Sequence, residues 1–380
     1  MTQLKQGAIS GDELRNQLDE QVQELHHQLR EKDRVLENYK RARGKQEILI
    51  QRITNNIAPV TPLPAQYQPE KRRTKKKVIA CMQASDMHMG AVQNADEIEG
   101  LNEFNPLICY RRCMGFSDSA LRYIQTLRHA YTINELHWFD TGDNTSGDIH
   151  RDLIVTNAFP SPVQVVEAAR VKAFQISYLA PFFERIIVHF ISADNHSRLT
   201  KKPQAAEAGV NSLNYLVGVM LEQYMEKHDN VEVRVYPVTE KVIRVANYNY
   251  LALHGHTVLG WMGVPWYGLE RKVGKESTSR LAAIMRQQNE KVLEMARKIG
   301  FHKMLHGHFH VKFNGELMRC SASVQGTTTL DHEHGRFSEP SQPCWLIHPE
   351  HGEFADTNFQ LRSFDHVTAF DPASGPLYTG

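Results

Sequence analysis

The sequence predicts an α/β fold, with a largely parallel sheet, flanking helices and a long helix ahead of them. Three observations carry that expectation. From Val78 onward, short runs rich in Val, Ile, Phe, Tyr and Trp alternate with stretches of helical periodicity. Residues 10–55 are polar, lack proline, and hold only two glycines, Gly11 and Gly44. The chain has 380 residues, 41% of them hydrophobic and 23% charged, which is enough for a substantial core.

Taken in order, residues 1–57 read as a helical, coiled-coil segment. Leu18, Val22, Leu25, Leu29, Leu36, Tyr39, Ile50 and Ile53 fall on a seam alternating threes and fours, interrupted by Lys32, Arg43 and Gln46. Such a helix pairs with a second copy or docks on a partner protein. Residues 58–77 form a linker in which prolines stop the helix, followed by six basic residues between Lys71 and Lys77. Residues 78–363 are the main domain. Its expected strands are Val78–Ala84, Leu136–Asp140, Ile186–Ser192, Val231–Tyr236, Val242–Ala246, Tyr250–Leu253 and Lys303–Leu305. Its expected helices are Gly115–Ala130, Val163–Phe183, Ala205–Lys227 and Ser277–Ile299. Asn144–Pro162 and Thr257–Lys275 read as long irregular loops, and residues 364–380 as a loosely held tail.

Composition narrows the function. Lys+Arg 44 against Asp+Glu 43 leaves a net charge of +1, so any pull on nucleic acid has to be local. No apolar run approaches the roughly 20 residues of a membrane span, and no apolar signal core opens the chain, so a cytoplasmic protein is expected. The five scattered cysteines fit reduced thiols, and Cys109 and Cys113 have no second pair to complete a zinc site. Histidine, at 20, is the residue in excess.

The chemistry sits where the strands end. Ser85-Asp86-Met87-His88, Thr141-Gly142-Asp143-Asn144, Ala193-Asp194-Asn195-His196, His254-Gly255-His256 and His306-Gly307-His308-Phe309-His310 each follow a β-rich run. In α/β sheets ligands bind beyond the carboxyl ends of the strands. Intervals of 57, 52, 59 and 54 residues separate Asp86, Asp143, Asn195, His254 and His308, so the clusters can converge on one sheet edge. Oxygen and imidazole donors without cysteine suit Mn, Fe, Zn or Mg-like ions. A carboxylate beside a glycine, as in Gly142-Asp143, can bridge two ions about 3.5–4 Å apart, a pair suited to in-line displacement at phosphorus.

This ordered series resembles the calcineurin-like metallophosphoesterase superfamily, whose motifs are D-x-H, G-D-x, G-N-H-[DE], a later H and G-H-x-H. The likeness covers roughly residues 78–312. It implies a two-sheet sandwich flanked by helices, with two divalent ions, Mn foremost and Fe, Zn or Mg as alternatives. By the resemblance Asp86, His88 and His310 hold one ion, Asn195, His254 and His308 hold the other, and Asp143 bridges. His196 then protonates the leaving group. The third motif departs from the pattern: Asp194 stands for the usual Gly and Ser197 for the acidic residue behind the histidine. Metal binding is expected to survive this, with Asp194 as a relocated support for His196.

The substrate expected from these features is a phosphodiester of DNA or RNA, placing the chain near the DNA-repair exonuclease branch. A nucleotide or other small phosphoester is the alternative, and a catalytically inert adaptor the non-enzymatic one. The nucleic-acid reading draws on the basic run and on Trp261, Trp266 and Tyr267 with Arg271 and Lys272, since aromatics among basic residues suit stacking on unpaired bases. Arg198, Asn144, Trp266 and Tyr267 are the expected substrate contacts, with Lys201 beside them. His256 and His306 read as supporting residues, and His150 and His189 as ordinary ones.

Overall fold

The computed structural model describes residues 22–34, 36–37, 40, 51, 54–55, 57–64, 66, 76–149, 151–258, 264–287 and 291–372. The chain divides into two compact units, Met1–Asn56 and Ile57–Gly380. In the first, residues 22–34 and 36–37 are helical and expose Val22, Leu25, Leu29 and Leu36. Leu18, Tyr39, Ile50 and Ile53 of the expected seam lie outside the described residues, as does most of the basic run.

The second unit is a mixed α/β fold with two mixed sheets. Strands β1 (Lys76–Ala84), β2 (Tyr131–Asp140), β3 (Arg185–Ile191) and β4 (Val231–Tyr236) pair in parallel. The hairpin β10 (Ser341–His348) and β11 (Gly352–Gln360) extends this sheet antiparallel to β1, giving the order β11-β10-β1-β2-β3-β4. The second sheet runs β5-β6-β7-β9-β8, from Glu240–Val245, Tyr248–Leu253, Lys303–His306, Met318–Cys320 and Phe313–Asn314 respectively.

Alternation along the strands sends one face of each sheet into a shared core. Cys81, Phe139, Ile191, Trp345 and Ile347 of the first sheet meet Ile243, Val245, Tyr250, Ala252 and Leu305 of the second. The outer face of the first sheet is covered by α1 (Pro106–Leu127), α3 (Ser161–Leu179) and α4 (Leu213–Tyr224), with Phe116 of α1 against Trp138. The outer face of the second sheet is covered by α5 (Trp266–Met285) through Leu269 and Val273, with Leu251, Leu253 and Met304 beneath them. Among the described residues no helix is long and apolar enough to cross a membrane, and all five cysteines are free and buried.

Several elements differ from the sequence expectation, each for a local reason. Helix α1 starts at Pro106, because the Asn105 carboxamide caps the Leu107 and Ile108 N–H groups and proline suits the first helical position. Helix α4 begins only at Leu213, where Ser212 caps it; a side chain at Gly209 would collide with the Pro237 backbone. The loop expected to run to Lys275 ends at Pro265, and the helix expected over Ser277–Ile299 is two, α5 and α6 (Lys291–Ile299). The loop at 144–162 contains the short helix α2 (Arg151–Thr156). At the start of the second unit, Val60 N–H bonds to the Tyr224 carbonyl and Gln66 N–H to that of Pro181.

The C-terminal segment is also held, at least as far as residue 372. Arg111 pairs with Asp371, and the guanidinium of Arg112 forks onto Asp365 at 2.6 and 2.8 Å. Arg112 is fully buried and spends its remaining donors on the Val324 and Gln325 carbonyls, the Asn102 side chain and the Glu103 carbonyl. Removing one partner of a buried, fully bonded ion pair costs about 3–5 kcal/mol. Arg112→Ala is therefore expected to lose that much in urea denaturation. Arg112→Lys should recover less than half of it, because an ammonium cannot reproduce the planar fork. Full recovery by lysine would show that charge alone matters here.

Candidate metal centre

The five clusters leave the carboxyl ends of β1, β2, β3, β6 and β7, so three come from one sheet and two from the other. The chain bends sharply at five of the seven expected donors. Asp86, His88, Asp143, His308 and His310 all have positive φ, between 49° and 73°. That is an uncommon region for side-chain-bearing residues, held here by surrounding bonds. The β1–β2 ladder continues past the strands: Asp86 N–H bonds to the Gly142 carbonyl, His88 N–H to that of Asp143 and Met89 N–H to that of Asn144. Gly307 lets the second sheet close on the first, since a Cβ there would lie 2.2 Å from Asp86 Oδ2.

Three overlapping donor groups result, one of them His88, Asp143 and His196, and Asp143 lies against the other two. In one of those two, Asp86, His88 and His310 present ligand atoms within 4.8 Å of one another; in the other Asp143, His254 and His308 do. Asp86 is fixed by the His308 N–H, which forks onto both its oxygens at 3.0 and 3.1 Å, and by the Ser85 hydroxyl. Asp143 Oδ2 stands 3.0 Å from His254 Nε2, 3.9 Å from His196 Nε2 and 4.0 Å from His88 Nε2.

Proton bookkeeping shows what the donors face. His254 donates Nδ1–H to the Thr141 carbonyl, 2.8 Å away, and its protonated Nε2 faces Asp143 Oδ2 and Asn195 Oδ1, both at 3.0 Å. His310 donates Nδ1–H to Asp331 Oδ2, and its Nε2 lies 3.1 Å from His88 Nε2 and 3.6 Å from Asp86 Oδ1. The protons now on these imidazoles occupy the positions a cation would take, and imidazole and carboxylate donors fit a divalent metal.

Charge in the metal-free centre follows. Burial alone would raise Asp143, but the His254 and His196 imidazoles outweigh it and hold the carboxyl well below its ordinary range. Burial opposes charge on His254 as well, yet Asp143 pushes it up to about 10. Asp194, buried and beside Asp143, is raised to about 7. Burial and the neighbouring His196 charge press His88 well below its usual value.

The other sequence expectations fare variously. His196 reaches the centre, its ring 4.6 Å from that of His88, but the group holding its Nδ1 is the Ser146 carbonyl at 2.7 Å. Asp194 instead accepts from Asp143 N–H, Ser197 N–H and the Ser197 hydroxyl, and so shapes the two loops. Asn144, expected at the substrate, is fully buried and gives its amide to Asp140 and Asn214. Arg198 directs its guanidinium onto carbonyls of its own loop, at Asn195 and Thr200. Trp266 and Tyr267 open α5 and are exposed, Trp266 edge-on to Phe313. Lys272 is occupied by Glu240 and Glu276. Trp261 and His150 lie outside the described residues. His306 is buried, and His256 sits beside the rings of His254 and His308. Asp331 went unrecognised in the sequence; the signal was the T-x-x-D capping pattern at Thr328, which does not announce a histidine partner.

No protein-family model matches the chain. Over 219 residues it is 20% identical to the SPbeta prophage-derived uncharacterized protein YonJ of Bacillus subtilis, covering 57% of this chain and 52% of that protein. The chain thus spans about half the length of this curated relative. Among solved structures it is similar to a predicted phosphoesterase from Streptococcus pneumoniae, at 11% identity, covering 74% and 97% of the two chains with a TM-score of 0.23. It is similar also to zinc-complexed Vps29 of Entamoeba histolytica, at 11% identity, 74% and 99% coverage and a TM-score of 0.24. At these identities and scores neither likeness carries a functional argument.

Because His254 holds a proton up to about pH 10 in the metal-free centre, a metal that took its Nε2 would have to displace that proton. Mn titration at pH 7.5 in buffers of different ionisation enthalpy is expected to report release of at least one proton per chain. Affinity should rise about tenfold per pH unit from this proton alone. An enthalpy independent of buffer would contradict the assignment of His254.

Proposed function

We propose that this chain is a two-metal phosphodiesterase of the calcineurin-like type, acting on nucleic acid. The observation that carries the reading is the convergence of two donor groups on the single carboxylate of Asp143. Asp86, His88 and His310 would hold one ion, and Asn195, His254 and His308 the other. Asp143 would bridge, and manganese is the metal proposed. Two such ions acidify a water and neutralise charge on a phosphoryl group.

The remaining steps belong to side chains of this protein. His196, with Nδ1–H tied to the Ser146 carbonyl, turns Nε2 toward the centre and is placed to hand a proton to the departing oxygen. Asp194 braces the Asp143 and Ser197 backbones, which keeps the two loops from spreading. Trp266 and Tyr267, exposed at the start of α5, support a nucleic-acid substrate because base–aromatic stacking tolerates any sequence. The exposed Val22, Leu25 and Leu29 of the N-terminal helix support pairing with a second copy or a partner protein.

Mn-dependent hydrolysis of single-stranded DNA, duplex DNA, bis(p-nitrophenyl) phosphate and p-nitrophenyl phosphate tests the proposal. Wild type is expected to cleave DNA and the diester. Asp143→Asn should lose activity with its bound metal. His196→Ala should fall about 10²–10⁴-fold in kcat while keeping its metal content. Cleavage of the small esters with DNA left intact would move the substrate to nucleotides. Silence on all four with metal bound would leave the inert adaptor.

Tyr267→Ala together with Trp266→Ala should raise KM for single-stranded DNA about tenfold or more while sparing the small diester. Equal losses on both substrates would remove these aromatics from recognition.

A further inference from the structure

Asp331 is the most heavily bonded side chain touching the proposed ligands. It lies in α7 (Thr329–Glu333), 21 residues beyond His310, and is buried. Its Oδ2 accepts from His310 Nδ1–H at 3.3 Å, from the Thr328 hydroxyl at 2.8 Å and from the Thr328 N–H at 3.2 Å. Its Oδ1 takes Arg336 Nη2 at 3.2 Å, and the Arg336 N–H bonds back to the Asp331 carbonyl at 2.8 Å.

A helix cap does not require all of this. Thr328 and Asp331 complete a reciprocal capping box by themselves, so His310 and Arg336 are additions to a finished cap. Their effect falls on His310. A carboxylate at Nδ1 fixes the ring orientation, aims Nε2 toward Asp86 and His88, and makes the imidazole a stronger donor. Arg336 keeps that carboxylate ionised and stops it from swinging away.

The two halves of the centre differ in this respect. His254 is braced by the neutral carbonyl of Thr141, as His196 is by that of Ser146. Only His310, among the histidines the two donor groups contain, carries a charged brace among the described residues. We propose that Asp331, anchored by Arg336, is a positioning residue that sets the affinity of the centre for the ion held by Asp86, His88 and His310. This rests on the two-metal reading above.

Calorimetric Mn titration of wild type, Asp331→Asn, Arg336→Ala and Thr328→Ala tests it, alongside melting of the metal-free proteins. Wild type is expected to bind in two steps. Asp331→Asn should weaken one step about 10–100-fold and leave the other within twofold. Arg336→Ala should weaken the same step by less. Thr328→Ala, which removes the cap hydroxyl but leaves the His310–Asp331 pair, should lower Tm and weaken that step no more than Arg336→Ala does. Nitrogen NMR of the metal-free proteins should show one histidine losing its fixed Nδ1–H form in Asp331→Asn alone. Both steps unchanged in Asp331→Asn would overturn the proposal. So would equal weakening of both steps with a fall in Tm matching Thr328→Ala, since the role would then be structural. A wild type that binds no ion would overturn the two-metal reading itself.

Discussion

The carboxylate of Asp143 is buried among imidazoles, and the geometry of the centre depends on keeping it charged there. A lone carboxylate taken out of water would sooner take up a proton than stay ionised. Here His254, His196 and His88 surround it, and its backbone N–H is held by Asp194. In the metal-free centre protonated His254 balances that charge, and a divalent ion would take the place of its proton. The sharp turns at Asp86, His88, Asp143, His308 and His310 are the backbone cost of bringing those donors together.

The scaffold meets that cost by stiffness on both sides. The apolar layer between the sheets, built on Phe139, Tyr250 and Trp345, fixes the spacing of the strands that carry the donors. Just behind the Asp143 turn, Asp140 closes β2 with a buried pairing to Lys172 at 2.8 Å, and its other oxygen takes the Gly142 N–H and the Asn144 amide. Arg112 ties the segment after β9 to the C-terminal residues, and that segment in turn returns Val324 N–H to the Asp86 carbonyl. Bonds far from the chemistry thus hold the loops at the top of both sheets.

Much of the centre was legible in the sequence because each donor follows directly on a β-rich run. The strand and the turn are both local features, and the topology then superposes them. What was not legible depends on distance or on backbone. The His196 brace is a main-chain carbonyl, Ser146, which no side-chain pattern reveals. Asp331 reaches His310 from a separate short helix. Asn144 looked like a site residue because it adjoins Asp143, but its side chain points into the protein. The β10–β11 hairpin went unread, since GEFADTNFQ is polar and Pro343 interrupts its partner. The opening of α5 passed for loop because its first turn is aromatic and glycine-bearing, and its helical register is set by Leu269 and Val273 against the second sheet.

The most direct test of this account is anomalous diffraction from crystals soaked in Mn at the manganese edge. The account predicts two peaks about 3.5–4 Å apart astride Asp143, one beside Asp86, His88 and His310 and the other beside Asn195, His254 and His308. A single peak at saturating Mn, or peaks away from Asp143, would contradict it.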